Sequence, residues 1–355
     1  MNPTPTQKPV GNRCSVLAED LDRILAHTQG LWEELRGRKI FLTGATGFFG
    51  CWLLESFAWA NEKLNLKAEA VALTRNLENF QKKAPHLAKN PAIRFKIGDV
   101  RSFEFLKEKF SVVIHAATEA SVKLNQENPS LMFDTIVEGT KRTLDFAVYC
   151  GAKKFLLTSS GAVYGLQPPE LTHIPEAFVG TSTESAYAEG KRVAEQLCVD
   201  YAKRHGIETK IARCFAFVGP YLPLDSHFAI GNFIRDGLRG GPIQINGDGT
   251  PHRSYLYAAD LAIWLWTMLF RGKNCRPYNV GSDKDLSIAE LAKAVNAAFE
   301  NKLQLSIAQK PVAGKPLERY VPSTQRAEEE LGLRATISLE EAIRRTAAAK
   351  QIVDV

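Results

Sequence analysis

Apolar positions follow two different rhythms along the 355-residue chain. Near the start, Val16, Leu17, Leu21, Ile24, Leu25, Leu31, Trp32 and Leu35 fall at roughly helical spacing, which predicts one or two amphipathic helices. Such helices can cap a core or meet a partner, and capping the core is the role expected here. From Lys39 the rhythm changes to short apolar runs alternating with helical stretches. KIFLTG, EAVALT, AIRFKIGD, SVVIHAAT, KKFLLTSS and ETKIARCFAFVG read as strands. FFGCWLLESFAWA, SLMFDTIVEGTKRTLDFAVYC and AYAEGKRVAEQLCVDYAKRHG read as helices between them. Strands apolar on both faces, each followed by a helix, predict a parallel sheet covered on both sides. Beyond about Pro220 the pattern breaks into Pro/Gly-rich turns and shorter elements, which predicts a smaller α+β lobe. The expected division is residues 1–36 as an N-terminal extension with a disordered start, 37–218 as the sheet domain, and 219–355 as mainly the second lobe, partly interleaved with the first.

Composition narrows the function classes. With 45% hydrophobic and 24% charged residues, the chain has the make-up of a soluble globular protein. Lys and Arg number 45 against 39 Asp and Glu, and the surplus is spread along the chain. That suits an anionic small molecule and gives little support to nucleic acid. The longest strongly apolar run, LAIWLWTMLF, is about half a membrane span and reads as a buried helix, so no membrane role is expected. Six cysteines form no CxxC pair, and the start MNPTPTQKPV lacks a signal-peptide pattern; reduced thiols and a cytoplasmic location are the expectation. Seven histidines show no metal-ligand spacing, and no metal site is expected.

The first strand runs into TGATGFFG, with glycines at 44, 47 and 50, and then into a helix. In that context the glycines allow a tight turn and a close approach of pyrophosphate to backbone, while the helix start offers free N–H groups. The segment predicts a dinucleotide site built from Gly44, Thr46, Gly47, Phe48, Phe49 and Gly50, and hence a Rossmann-type doubly wound α/β fold. The second strand ends Leu73-Thr74-Arg75-Asn76 with no acid for a ribose 2′-hydroxyl; Arg75 offers a cation instead, which favours NADP slightly over NAD. Asp99 and Val100 after the third strand are placed for the adenine edge, and Ala116, Ala117 and Thr158 at later strand ends for the rest of the cofactor.

AYAEGK places Tyr187 and Lys191 four residues apart, on one helix face. A free tyrosine ionises near ~10, so a base working near neutrality needs a fall of ~3 units, or ~4 kcal/mol. Positive charge from the lysine and from an oxidised nicotinamide acts in that direction. With LLTSSGAVYG upstream, these motifs resemble the extended short-chain dehydrogenase/reductase family, in its nucleotide-sugar epimerase/dehydratase branch, over about residues 38–350. The resemblance implies a Ser160/Tyr187/Lys191 catalytic group, a homodimer through helices near residues 130–149 and 186–205, and a nucleoside-diphosphate-sugar substrate. It also implies substrate contacts from Ser159, Ser160, Asn232 in IGNFI, Gln244 in PIQIN, Arg253 in GDGTPHR, and Arg319.

Several positions depart from the family pattern. Ala216 stands where an Asn is frequent, Ile136 replaces another Asn, Ser254 replaces an Asp, and YAEGK lacks the frequent serine before its lysine. After the active hydroxyl, the family's 4,6-dehydratases carry Asp-Glu, and its decarboxylases usually carry a Glu at the second position. Here the pair is Gly161-Ala162, without an acid or base. The first expectation is therefore a 4-epimerase, which needs only the Ser, Tyr and Lys besides its cofactor. Next come an NADPH-dependent 4-ketoreductase of a deoxysugar, and keto-sugar chemistry that uses Glu119 as acid or base. A non-catalytic dinucleotide sensor is the alternative from another class.

Overall fold

A computed structural model describes residues 15–118, 122–180, 185–226, 228–300 and 302–353. The Pro/Thr-rich start expected to be disordered lies outside the described residues, and so does Glu119. The first part of the chain runs α1 (Ser15–His27), β1 (Lys39–Thr43), α2 (Phe48–Lys63), β2 (Glu69–Thr74), α3 (Leu77–Lys83), α4 (Pro85–Ala88) and β3 (Ile93–Ile97). It continues as β4 (Val112–His115), α5 (Val122–Glu127), α6 (Pro129–Tyr149), β5 (Lys154–Ser160), α7 (Ala186–His205) and β6 (Glu208–Cys214). Then come β7 (Phe217–Val218), α8 (Ala229–Leu238), β8 (Ile243–Ile245), β9 (His252–Ser254), β10 (Leu256–Tyr257) and α9 (Ala258–Arg271). The chain closes with β11 (Pro277–Val280), β12 (Asp285–Ser287), α10 (Ile288–Ala298), β13 (Leu305–Ile307), β14 (Arg319–Tyr320), α11 (Gln325–Leu331) and α12 (Leu339–Val353).

The seven-stranded sheet has the order β11-β6-β5-β4-β1-β2-β3, with every pairing parallel. This is the doubly wound Rossmann-type fold. One apolar layer lies under α6 and α7, built on Phe41, Phe110, Phe146 and Phe155. The other lies under α2 and α9 and carries Trp52, Trp264 and Trp266. Burial on both faces is what makes these strands read as unbroken apolar runs. Strand order reverses where β1 lies between β4 and β2, and ligands of open α/β sheets bind outside the strand ends at such a switch.

The N-terminal helix α1 packs on α9 and α2, with Leu21 and Ile24 fully buried. The second helical stretch is only a 3₁₀ turn, Trp32–Leu35, because Gly30 at φ +79° breaks the helix before it. Beyond β6, the chain forms a two-stranded β8/β13 unit and a three-stranded β12-β9-β14 unit, while β11 returns to the edge of the main sheet beside β6. LAIWLWTMLF forms most of α9 and is buried. Among the described residues, no helix is long and apolar enough to cross a membrane.

Candidate active site

At the end of β1 the chain turns through Gly44, at φ +67°. A Cβ there would stand 2.3 Å from the backbone carbonyl of Ala116, so the turn is pressed against the end of β4 and admits only glycine. Gly50 seats α2 on the same loop, since a Cβ would meet the backbone of Ala45 at 2.3–2.4 Å. Gly47 caps α2 in an extended conformation, without a side-chain cap, which leaves first-turn N–H groups for a ligand. Gly44, Gly47, Phe48, Phe49 and Ala116 line one end of a cavity of about 1180 Å³. The tight turn and the uncapped helix start fit the pyrophosphate of a dinucleotide. Arg75 also lines this cavity and is shared with an adjoining cleft of about 200 Å³ bordered by Thr46, Thr74, Asn76, Asn79 and Lys83, where Lys83 donates to the Thr46 carbonyl at 3.1 Å.

Other residues named for the cofactor lie outside the lining. Asp99 accepts from the Arg101 backbone and from both arms of its guanidinium at 2.9–3.0 Å. Those bonds hold its carboxyl at about 2, hence charged. Val100 packs against Gly139 of α6, whose Cβ would stand 2.9 Å from it. Ala117 donates its N–H to Thr43 Oγ1 at 3.3 Å.

The remaining wall of the cavity brings Thr158, Ser160, Tyr187 and Lys191 together. Ser160 ends β5 and caps the following 3₁₀ turn, accepting from the Ala162 N–H at 3.1 Å. Tyr187 lies in the first turn of α7, whose start is held by Ser185 and by Asn125, which accepts from the Tyr187 N–H at 3.0 Å. Lys191 follows one turn later and is buried; its ammonium donates to Thr118 Oγ1 at 2.6 Å and to the Thr158 carbonyl at 2.8 Å. Burial lowers the lysine to about 8 and raises the Tyr187 phenol to about 12, the latter opposed by the nearby Ser160 hydroxyl. Behind them, His115 is buried between the hydroxyls of Thr43 and Thr140, and burial holds it neutral at about 3.

Ser159 borders the cavity, but its hydroxyl donates to Glu195 at 2.6 Å, and Arg213 grips the same carboxylate. The second lobe contributes Arg253 to the lining, with its guanidinium on the His252 carbonyl and on Glu318. The other three lobe residues do not reach the cavity wall. Asn232 accepts from Arg235 at 3.1 Å, Gln244 is exposed on β8, and Arg319 is bound to Asp285 at 2.5 Å. Asp285 also holds His252, so Arg319 belongs to the framework of the small sheet.

Sequence reasoning passed over Thr118, Phe215, Tyr255 and Tyr320, all of which line the cavity. Tyr320 follows Arg319 on β14, and neighbours on a strand point to opposite sides, so the expected residue and the one in the wall differ by a single position. For Thr118 the chain offers no periodic pattern, because it lies in a loop after β4.

Residues 40–281, from β1 through β11 to Gly281, match the model of the NAD dependent epimerase/dehydratase family. The protein belongs to this family. Similar family proteins include UDP-glucuronic acid decarboxylase 3 of Arabidopsis thaliana, 32% identical over 86% of each chain. UDP-glucuronic acid decarboxylase 1 of Xenopus tropicalis is 28% identical over 87% of this chain and 71% of its own. Among solved structures, UDP-glucose 4-epimerase of Thermotoga maritima, with UDP-glucose, superposes at a TM-score of 0.75 and 20% identity, covering 89% of this chain and 100% of its own. DesIV, the dTDP-glucose 4,6-dehydratase of Streptomyces venezuelae, gives 0.73 at 24% identity over 88% and 97%, with NAD bound. These structures share the fold. The protein is thus an enzyme of the short-chain dehydrogenase/reductase type in the nucleotide-sugar epimerase/dehydratase group of this NAD-dependent family.

Proposed function

We propose that the protein is a 4-epimerase of a nucleoside-diphosphate sugar. The observation that carries this reading is the convergence of Ser160, Tyr187 and Lys191 on one cavity, with Gly161 and Ala162 next to them offering no acid or base. Bound nicotinamide supplies the hydride chemistry at the sugar carbon. Ser160 holds the C4 oxygen, and Tyr187 takes its proton and later returns one. With its phenol near 12, Tyr187 needs added positive charge to act as a base; Lys191, whose ammonium lies 5.9 Å from the ring centroid, supplies part of it. Arg253 is the side chain of this wall suited to a diphosphate, because its fork of donors matches phosphate oxygens. Glu119, the remaining candidate for a proton at C3 or C5, follows Thr118 in sequence and lies outside the described residues.

The decarboxylase relatives favour a second reading, loss of a carboxylate from a nucleotide-linked uronic acid. The missing acid at position 162 speaks against it. Arg75 and Lys83 beside the 200 Å³ cleft support NADP over NAD and keep a 4-ketoreductase in view. Leu131, Val148 and Tyr149, exposed on α6, support a homodimer through α6 and α7. The free thiols of Cys51, Cys150, Cys198, Cys214 and Cys275 support a cytoplasmic location.

Chromatography of products from UDP-, GDP-, CDP- and dTDP-sugars, run with NAD and with NADP, tests these readings. Redox-neutral conversion between 4-epimers is expected. Release of carbon dioxide from UDP-glucuronate, or stoichiometric NADPH consumption on a 4-keto sugar, overturns the epimerase assignment.

A further inference from the structure

The small strand β14 pairs with β9 so that Tyr320 lies in register with Arg253. Its ring packs against Phe215 in a tilted arrangement, centroids 4.7 Å apart at 34°. The phenol oxygen reaches across the cavity wall to the backbone just after Ser160. A Cβ on Gly161 would stand 2.7 Å from that oxygen and 2.7–2.8 Å from the Phe215 ring. The space that a side chain at 161 would need is therefore filled by Tyr320 and the ring beneath it. Ser160, Tyr187 and Tyr320, from β5, α7 and β14, line the same cavity, and the Ser160 hydroxyl acts on both phenols against the rise that burial causes.

We propose that Tyr320 is a further catalytic residue, which donates its phenolic proton in a hydrogen bond to the reacting sugar oxygen beside Ser160. This rests on the epimerase reading above. Burial pushes the Tyr320 phenol well above the ordinary tyrosine value, so it stays protonated and serves as a donor, not as a base. Packing against Phe215 and pairing with β9 fix the ring before substrate arrives, the condition under which a donor stabilises developing negative charge well. When the sugar oxygen gives up its proton to Tyr187, the charge developing on it is met by two donors, Ser160 and Tyr320. No proton leaves Tyr320 in that step.

The test compares Tyr320→Phe, which keeps the ring and removes only the oxygen, with Tyr187→Phe and the wild-type protein. Loss of one such donor costs about 10²–10³ in kcat elsewhere, and with Ser160 still present a fall of roughly 10–10² is expected. KM and dinucleotide affinity should change by less than about threefold, and the fall should be constant from pH 6 to 9 because the phenol is protonated throughout. A wild-type kcat in Tyr320→Phe, with Tyr187→Phe inactive, overturns the inference alone. Absence of turnover by the wild type on every nucleotide sugar overturns the epimerase reading and the inference with it. Gly161→Ala is the second variant, should Tyr320→Phe fold poorly. Its methyl group cannot coexist with the phenol oxygen at its present position, so a comparable loss of kcat is expected, and full activity counts against the proposal.

Discussion

A lysine in the wall of a cavity is expensive to fold around. Burial lowers Lys191 from its ordinary value of 10.5 to about 8. Below pH 8 the ammonium is protonated both folded and unfolded, and the burial penalty is present in full. Between about 8 and 10.5 the unfolded chain binds more protons, so stability rises with pH. Relative to Lys191→Met, the wild-type protein should gain up to roughly 3 kcal/mol across that window, read by urea denaturation at each pH. A flat difference would show that the ammonium is solvated. At Tyr187 the expectation is catalytic: Tyr187→Phe should lower turnover by roughly 10²–10⁴, the usual range for proton transfer by a positioned group. Near-wild-type rates would remove Tyr187 from its role. Ser160, Tyr187 and Lys191 were legible because their motifs are local: a strand end, and two positions one helical turn apart. Asn232, Gln244 and Arg319 rest on resemblance at longer range, and their side chains are engaged with Arg235, exposed, and bound to Asp285, respectively. Tertiary partners of that kind have no sequence period.

At the scale of elements, strong periodicity carried through to structure. KIFLTG, EAVALT and KKFLLTSS became β1, β2 and β5, since burial on both faces leaves little choice of pattern. The short helices α3 and α4 were not anticipated, for seven and four residues hold too little apolar repeat to register. The N-terminal segment is the element with the largest energetic consequence. Leu17, Leu21, Ile24, Leu31, Trp32 and Leu35 are all buried, and Trp32 packs on Trp266 of α9 at 4.7 Å. Asp20, on the same helix, accepts from Tyr257 and Arg345 and thereby joins α1 to β10 and α12. At about 1.5–3 kcal/mol for each large apolar side chain, this burial is comparable to the whole net stability of a typical domain, about 5–15 kcal/mol. Deleting residues 1–36 should therefore abolish cooperative thermal unfolding or drive the protein into aggregates. A truncated protein that melts within a few degrees of the full chain would show the segment to be dispensable.

For the molecule as a whole, the proposed dimer makes a further prediction. Pairing through α6 and α7 would cover Leu131, Val148 and Tyr149, so Val148→Glu with Tyr149→Glu should yield monomers in light scattering. An unchanged mass would place any association elsewhere. The fold class was legible from alternation and the glycine loop, because a parallel sheet and a pyrophosphate turn each impose strict local demands. The sugar was not, because β5, α7, β9 and β14 line the cavity jointly, and those elements are far apart in the chain. Their meeting couples two distant positions. Position 161 and position 320 compete for one volume, although they lie far apart in the chain. An acid introduced at 161 alone would collide with the phenol, and loss of the phenol alone would open a void without supplying an acid. Each single step is expected to be worse than either endpoint. Substitutions at 161 and 320 are thus expected to be non-additive, and a redesign that places acids after Ser160 must change Gly161, Ala162 and Tyr320 together.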